Sequence, residues 1–88
     1  LKITCFNKEE IMARAHAERL YKNILVQTKD NKDQIQISLP FEEPIKKVRN
    51  LYYVSILIKG NNLLHLKTWM RGSTIFKENA IIIDVDPL

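Results

Sequence analysis

The chain has 88 residues, 45% apolar and 27% charged, the size and composition of one globular domain rather than a disordered segment. Fourteen Lys and Arg against ten Asp and Glu leave a net charge of +4. No apolar run approaches the roughly 20 residues of a membrane span, no signal-peptide pattern opens the chain, and Cys5 alone excludes an internal disulfide framework or a cysteine zinc cluster.

Leu1 to Phe6 alternates, with Leu1, Ile3 and Cys5 on one side and Lys2, Thr4 and Phe6 on the other. That is the period of a strand. Asn7 stands three residues before Glu10, the spacing of a capping box, and Glu9 and Glu10 fall where a helix dipole favours acid. A helix is predicted from Lys8 to about Thr28. Ala13, Ala17, Leu20 and Ile24 form its apolar stripe, with Tyr21 on the flank, and the two alanines allow close approach to a sheet. Arg14, Glu18, Lys22 and Lys29 belong on wetter faces. Ile24-Leu25-Val26 is also compatible with a strand, which leaves the helix end open. Lys29 to Asp33 reads as a polar turn.

Gln34 to Leu39 alternates again, with Ile35, Ile37 and Leu39 together. Pro40 and Pro44 forbid a regular central strand, so Pro40 to Asn50 is expected as a loop or edge ribbon. Leu51 to Lys59 is the strongest strand. Tyr52, Val54, Ile56 and Ile58 face one way; Leu51, Tyr53, Ser55, Leu57 and Lys59 face the other. Gly60-Asn61-Asn62 breaks it. Asn61 or Asn62 is placed to cap a second helix whose core stripe is Leu63, Leu66 and Met70, with Trp69 beside it and Gly72 as its stop. Ala80 to Asp86 is the last expected strand.

Strand, helix, strand, strand, helix, strand is the split βαβ order. It predicts an α+β, ferredoxin-like βαββαβ fold: a four-stranded antiparallel sheet with two helices on one face. A different α+β packing of the same elements is the alternative.

The charge is unevenly spread. Residues 44–77 hold Lys46, Lys47, Arg49, Lys59, Lys67, Arg71 and Lys77 and no acid. Unopposed cations repel one another unless an anion lies near, and phosphate backbones supply one, with counterion release driving association. Tyr52, Tyr53 and Trp69 are interleaved with them, offering faces on which bases of a single strand stack. Against this stands the plain reading of seven solvated surface cations, with Tyr52 and Trp69 in the core.

Little else suggests chemistry. Gly60 and Gly72 form no phosphate loop, and Ser38, Ser55 and Ser73 sit in no nucleophile elbow. His16 and His65 fall on different helices. Asp84 and Asp86 share one face of a strand but have no third ligand in sequence, and Cys5 reads as a small buried hydrophobe. Catalysis by this chain alone is not expected, nor is a cofactor or metal.

Three segments carry a family resemblance. Pro44-Ile45-Lys46-Lys47-Val48-Arg49-Asn50-Leu51-Tyr52-Tyr53, Ile56-Leu57-Ile58-Lys59-Gly60 and Ile83-Asp84-Val85-Asp86-Pro87-Leu88 together resemble the C-terminal domain of bacterial primosomal protein N′ (PriA), the replication restart helicases. The shared form is a proline-led basic segment, an aromatic strand ending in Lys-Gly, and an Asp-Val-Asp-Pro tail. In one departure, such domains often place Arg after the strand tyrosine, where this chain has Tyr53. A phosphate contact is lost there and a stacking contact is the expected replacement.

The resemblance implies a parent that is an ATP-dependent 3′ to 5′ DNA helicase, acting in primosome assembly at stalled forks in the bacterial cytoplasm, with ATP, Mg and Zn held upstream. This chain, which does not open with Met, is then the parent's last domain and no enzyme itself. Its implied partners are forked or single-stranded DNA, the helicase core of the same chain, single-stranded DNA-binding protein and other primosome proteins, with no membrane. The DNA-binding residues expected are Lys46, Lys47, Arg49, Tyr53, Lys59, Lys67 and Arg71. Asp84 and Asp86 are expected to face away from DNA. The competing reading is a protein-interaction or regulatory ferredoxin-like domain that docks or dimerises without DNA. An RNA-binding module of the RNP type needs aromatics on both central strands in that family's spacing, and Leu1 to Phe6 and Leu51 to Gly60 do not fit that pattern.

Overall fold

The computed structural model describes residues 1–31, 33–43, 50–61, 63–73 and 81–84. In chain order these form β1 (Lys2–Asn7), α1 (Glu10–Thr28), a 3-10 turn (Lys29–Asn31), β2 (Ile35–Ile37), β3 (Phe41–Glu42), β4 (Tyr52–Gly60), α2 (Leu64–Gly72) and β5 (Ile81–Asp84). The fold is α+β, with two helices and an antiparallel sheet of five strands among the described residues. The sheet runs β2, β4, β1, β5, and β3 pairs with β4 as well.

The register explains the fifth strand. β2 pairs with β4 as Ile35 with Gly60 and Ile37 with Ile58, whereas β3 pairs as Phe41 with Ser55 and Glu42 with Val54. One extra residue therefore lies on this edge between Ile37 and Phe41, at Leu39-Pro40, where proline has no N–H to give the ladder. Ser38 patches the slip. Its N–H donates to the Leu57 carbonyl, and its hydroxyl oxygen accepts from the Leu57 N–H, both at 2.9 Å. The expected single strand to Leu39 is thus corrected. The extra residue reverses the alternation, so Leu39 is 71% exposed.

The expected stripe of α1 holds: Ala13, Ala17, Leu20 and Ile24 are all fully buried. The helix lies across β1 and β4. Its alanines admit the sheet residues Ile3, Cys5, Val54, Ile56 and Ile58, and Leu66 and Met70 of α2 close the same core. Ile24 and Leu25 belong to the helix, not to a strand. The capping box does not form. The helix begins at Glu10, and the Asn7 side-chain oxygen instead accepts from the Glu9 N–H at 2.9 Å. Of the second expected cap, Asn62 lies outside the described residues, and Leu63 stands at the N-terminal boundary of α2 without a side-chain cap bond.

Two backbone positions are tightly specified. Asn50, at the entry to β4, has φ of 58°, the left-handed region that asparagine tolerates better than most residues. At Gly60 a Cβ would lie 3.0 Å from the Gln34 carbonyl oxygen and 3.0 Å from the Leu63 side chain. A side chain here would require the Gln34 carbonyl or the Leu63 side chain to give way where β4 ends against the start of β2.

Candidate nucleic-acid interface

Alternation gives the sheet two unlike faces. The helix-covered face takes Ile3, Cys5, Val54, Ile56 and Ile58. The other takes Lys2, Thr4 and Phe6 from β1 and Tyr53, Ser55, Leu57 and Lys59 from β4, with Phe6 opposite Tyr53, Thr4 opposite Ser55, and Lys2 opposite Leu57. Gln36 stands opposite Lys59 and Phe41 opposite Ser55.

The middle of this second face is polar and closed. Thr4 and Ser55 are small, and their hydroxyls bond at 2.8 Å. The Glu43 carboxylate reaches over them to meet the Lys2 ammonium and the Ser55 hydroxyl. Burial alone would push the Glu43 carboxyl up, but the hydrogen bonds from Lys2 and Ser55 and the Lys2 charge together hold it below its ordinary range.

Beside this network the Phe6 and Tyr53 rings lie 6.1 Å apart at 34°. Both are half-buried, as is Phe41. Sequence reasoning missed Phe6. Alternation put it on the outer face of its strand, but nothing in the sequence showed that its cross-strand partner would be Tyr53. Aromatics therefore do stand on both central strands of the sheet.

The expected site residues separate. Lys46, Lys47 and Arg49 lie outside the described residues. Tyr53 and Lys59 sit on the open face, where Lys59 borders a shallow cleft of about 300 Å³ with Gln36, Ile37, Ser38 and Leu57. Lys67 and Arg71, one turn apart on α2, lie on the helix side. There they rim a cavity of about 380 Å³ with Leu1, Met70 and Ile83. The cause is the crossover after Gly60, which carries the chain from the sheet into the helical layer. Among the described residues Lys59, Lys67 and Arg71 have no acidic partner, whereas Arg14 meets Glu10 at 3.8 Å and Glu42 at 3.4 Å. The basic stretch is thus free of counter-charge where it is described, but it does not form one face.

The remaining residues that could carry chemistry are placed as follows. Cys5 is buried and its thiol is pushed up to about 11 by burial, which makes it a poor nucleophile. His16 and His65 lie on separate helices, and no metal-holding group of side chains occurs among the described residues. Asp84 takes the register position opposite Lys2, and Asp86 lies outside the described residues. No helix among the described residues is long and apolar enough to cross a membrane. No family model, characterised protein or solved structure matches the chain.

Proposed function

We propose that the chain is a DNA-binding accessory domain, the C-terminal module of a replication restart helicase, which holds single-stranded or branched DNA through its basic segment. The observation that carries this is the run of residues 44–77 with seven cations and no acid, together with the lack of acidic partners at Lys59, Lys67 and Arg71 among the described residues. Cations left without carboxylates are those able to release counterions to a phosphate backbone. The fold is compatible. If β2 and β3 are read as one edge strand interrupted at Leu39-Pro40, the order β2/β3, β4, β1, β5 with every pairing antiparallel is that of a ferredoxin-like βαββαβ domain. The resemblance of the Lys-Gly strand end and the Asp-Val-Asp-Pro tail supports the helicase assignment, which brings with it an upstream helicase core and primosome proteins as partners.

The test is a salt titration of binding to single-stranded and forked oligonucleotides. Reversing Lys46, Lys47 and Arg49 to Glu weakens binding several-fold and flattens the salt dependence, with little change in thermal midpoint. The pair Lys67→Glu and Arg71→Glu, made separately, shows whether the helix side also touches phosphate. Equal affinity of the triple variant at low salt refutes the basic segment as the DNA contact.

A second reading, docking to protein without DNA, draws on the apolar cavity floored by Leu1, Met70 and Ile83 and on Ile82, half exposed on β5. It is favoured if mass rises with concentration while no oligonucleotide binds.

A further inference from the structure

We propose that the open face of the sheet is a stacking site for unpaired bases of single-stranded DNA, with Phe6 and Tyr53 as the platform and the strand running along β4 toward Lys59. The inference rests on the DNA-binding reading and adds to it a face, a ligand geometry and a residue, Phe6, that the basic segment does not include.

The two rings come from the two central strands and are cross-strand neighbours, so the sheet ladder fixes their positions. Both keep part of their surface accessible on a face that no described helix covers. An aromatic pair of this kind serves any base, because every base has a π-face. Charge selects the direction of the strand. At the β5 edge Asp84 stands in register with Lys2, and Lys2 is already committed to Glu43. Lys2 offers no free charge to phosphate there. Along β4 the described charge is Lys59, which has no acidic partner among the described residues and faces the exposed Gln36 amide across a cleft of about 300 Å³. Lys59 lies six positions beyond Tyr53 on the strand, about 20 Å at the rise of an extended chain. A short single strand spans that length with a base on the rings and a phosphate at Lys59. A duplex, whose bases are stacked and paired, has no free face to offer the platform.

The neutralised Glu43 is part of the same design. A free carboxylate beside Tyr53 would repel a nucleotide, but the Lys2 ammonium pairs with it.

The test uses the 88-residue chain and two oligonucleotides of equal length and charge, an unmodified single strand and one in which several consecutive bases are replaced by abasic linkers. Wild type is expected to bind the abasic strand roughly five-fold or more weakly. Phe6→Leu and Tyr53→Leu are expected to bind both strands alike, at the wild-type abasic level, while Tyr53→Phe keeps the preference. The wild-type comparison needs no variant and so survives a substitution that misfolds. If wild type binds both strands equally and with the salt dependence of phosphate contacts, the platform is overturned and the DNA-binding reading stands. If wild type binds neither strand at low salt, both fall. If Phe6→Leu and Tyr53→Leu are folded and keep the preference for bases, stacking occurs elsewhere and the platform is again overturned.

Discussion

The two faces of the sheet are built from alternate residues of the same strands, yet they obey different rules. On β4, Val54, Ile56 and Ile58 are sealed against α1, whereas Tyr53, Leu57 and Lys59 remain partly accessible and Ser55 is buried among its neighbours on the open face. The helix side is specified by volume: two alanines bring α1 close and branched aliphatic side chains fill the space. The open side is specified by partners: a ring for a ring, a hydroxyl for a hydroxyl, an ammonium for a carboxylate. A change on one face therefore costs packing, and a change on the other costs a specific contact or a ligand.

The sharpest way to break this contrast is at adjacent residues. Ile56 is fully buried at the centre of the core, and Ile56→Ala is expected to destabilise by about 3 kcal/mol. Leu57, its neighbour on the open face, is half-buried, and Leu57→Ala is expected to cost about 1 kcal/mol. Denaturant unfolding of the two variants measures both. Equal losses would mean that the open face is packed as tightly as the core, and its reading as a binding surface would lose its basis.

Volume rules are legible in sequence; partner rules are much less so. The α1 stripe follows from spacing alone, as do the buried residues of β4, because a 3.6-residue or two-residue period is a property of one segment. Leu39 fails because the slip at Pro40 depends on how the edge meets β4, and one extra residue sends every later side chain to the opposite face. The same slip puts Phe41 on the open face, away from the isoleucines whose odd-numbered alternation it shares. Phe6 was visible as an outward residue but not as half of a pair. The run of cations was plain, but the crossover after Gly60 divides Lys59 from Lys67 and Arg71, and no linear count of charge contains that turn. Asn7 illustrates a local competition: its side chain satisfies Glu9 rather than a later amide, so the helix starts beyond the capping-box position.

The next effect tests whether the open face is held by pairing. Removing the Ser55 hydroxyl with Ser55→Ala leaves the Thr4 hydroxyl without this partner and removes one of the groups that favour the ionised Glu43 carboxyl. A loss of about 1 kcal/mol is expected. Thr4→Val alone is expected to cost a similar amount. The double variant is expected to cost little more than either, because it removes both ends of one bond. A double-mutant cycle giving strictly additive losses would show that the two hydroxyls contribute separately.

The smallest effect is carried by acid. The Glu43 carboxyl titrates below its ordinary value of 4.5 in the folded chain. The folded state therefore binds this proton more weakly than the unfolded state does. Its stabilising contribution is present above the ordinary value and is lost as pH falls through the depressed one. Unfolding followed between neutral pH and the acid limb is expected to show a decline that Glu43→Gln removes, since the amide cannot be protonated there. Lys2 stays charged throughout that window, so Lys2→Met is expected to flatten the same limb from the other side, by raising the folded carboxyl toward its unfolded value. If both variants leave the acid limb as steep as in wild type, the ion pair does not hold β1 to the segment after β3, and the closed centre of the open face must owe its stability to the two hydroxyls alone.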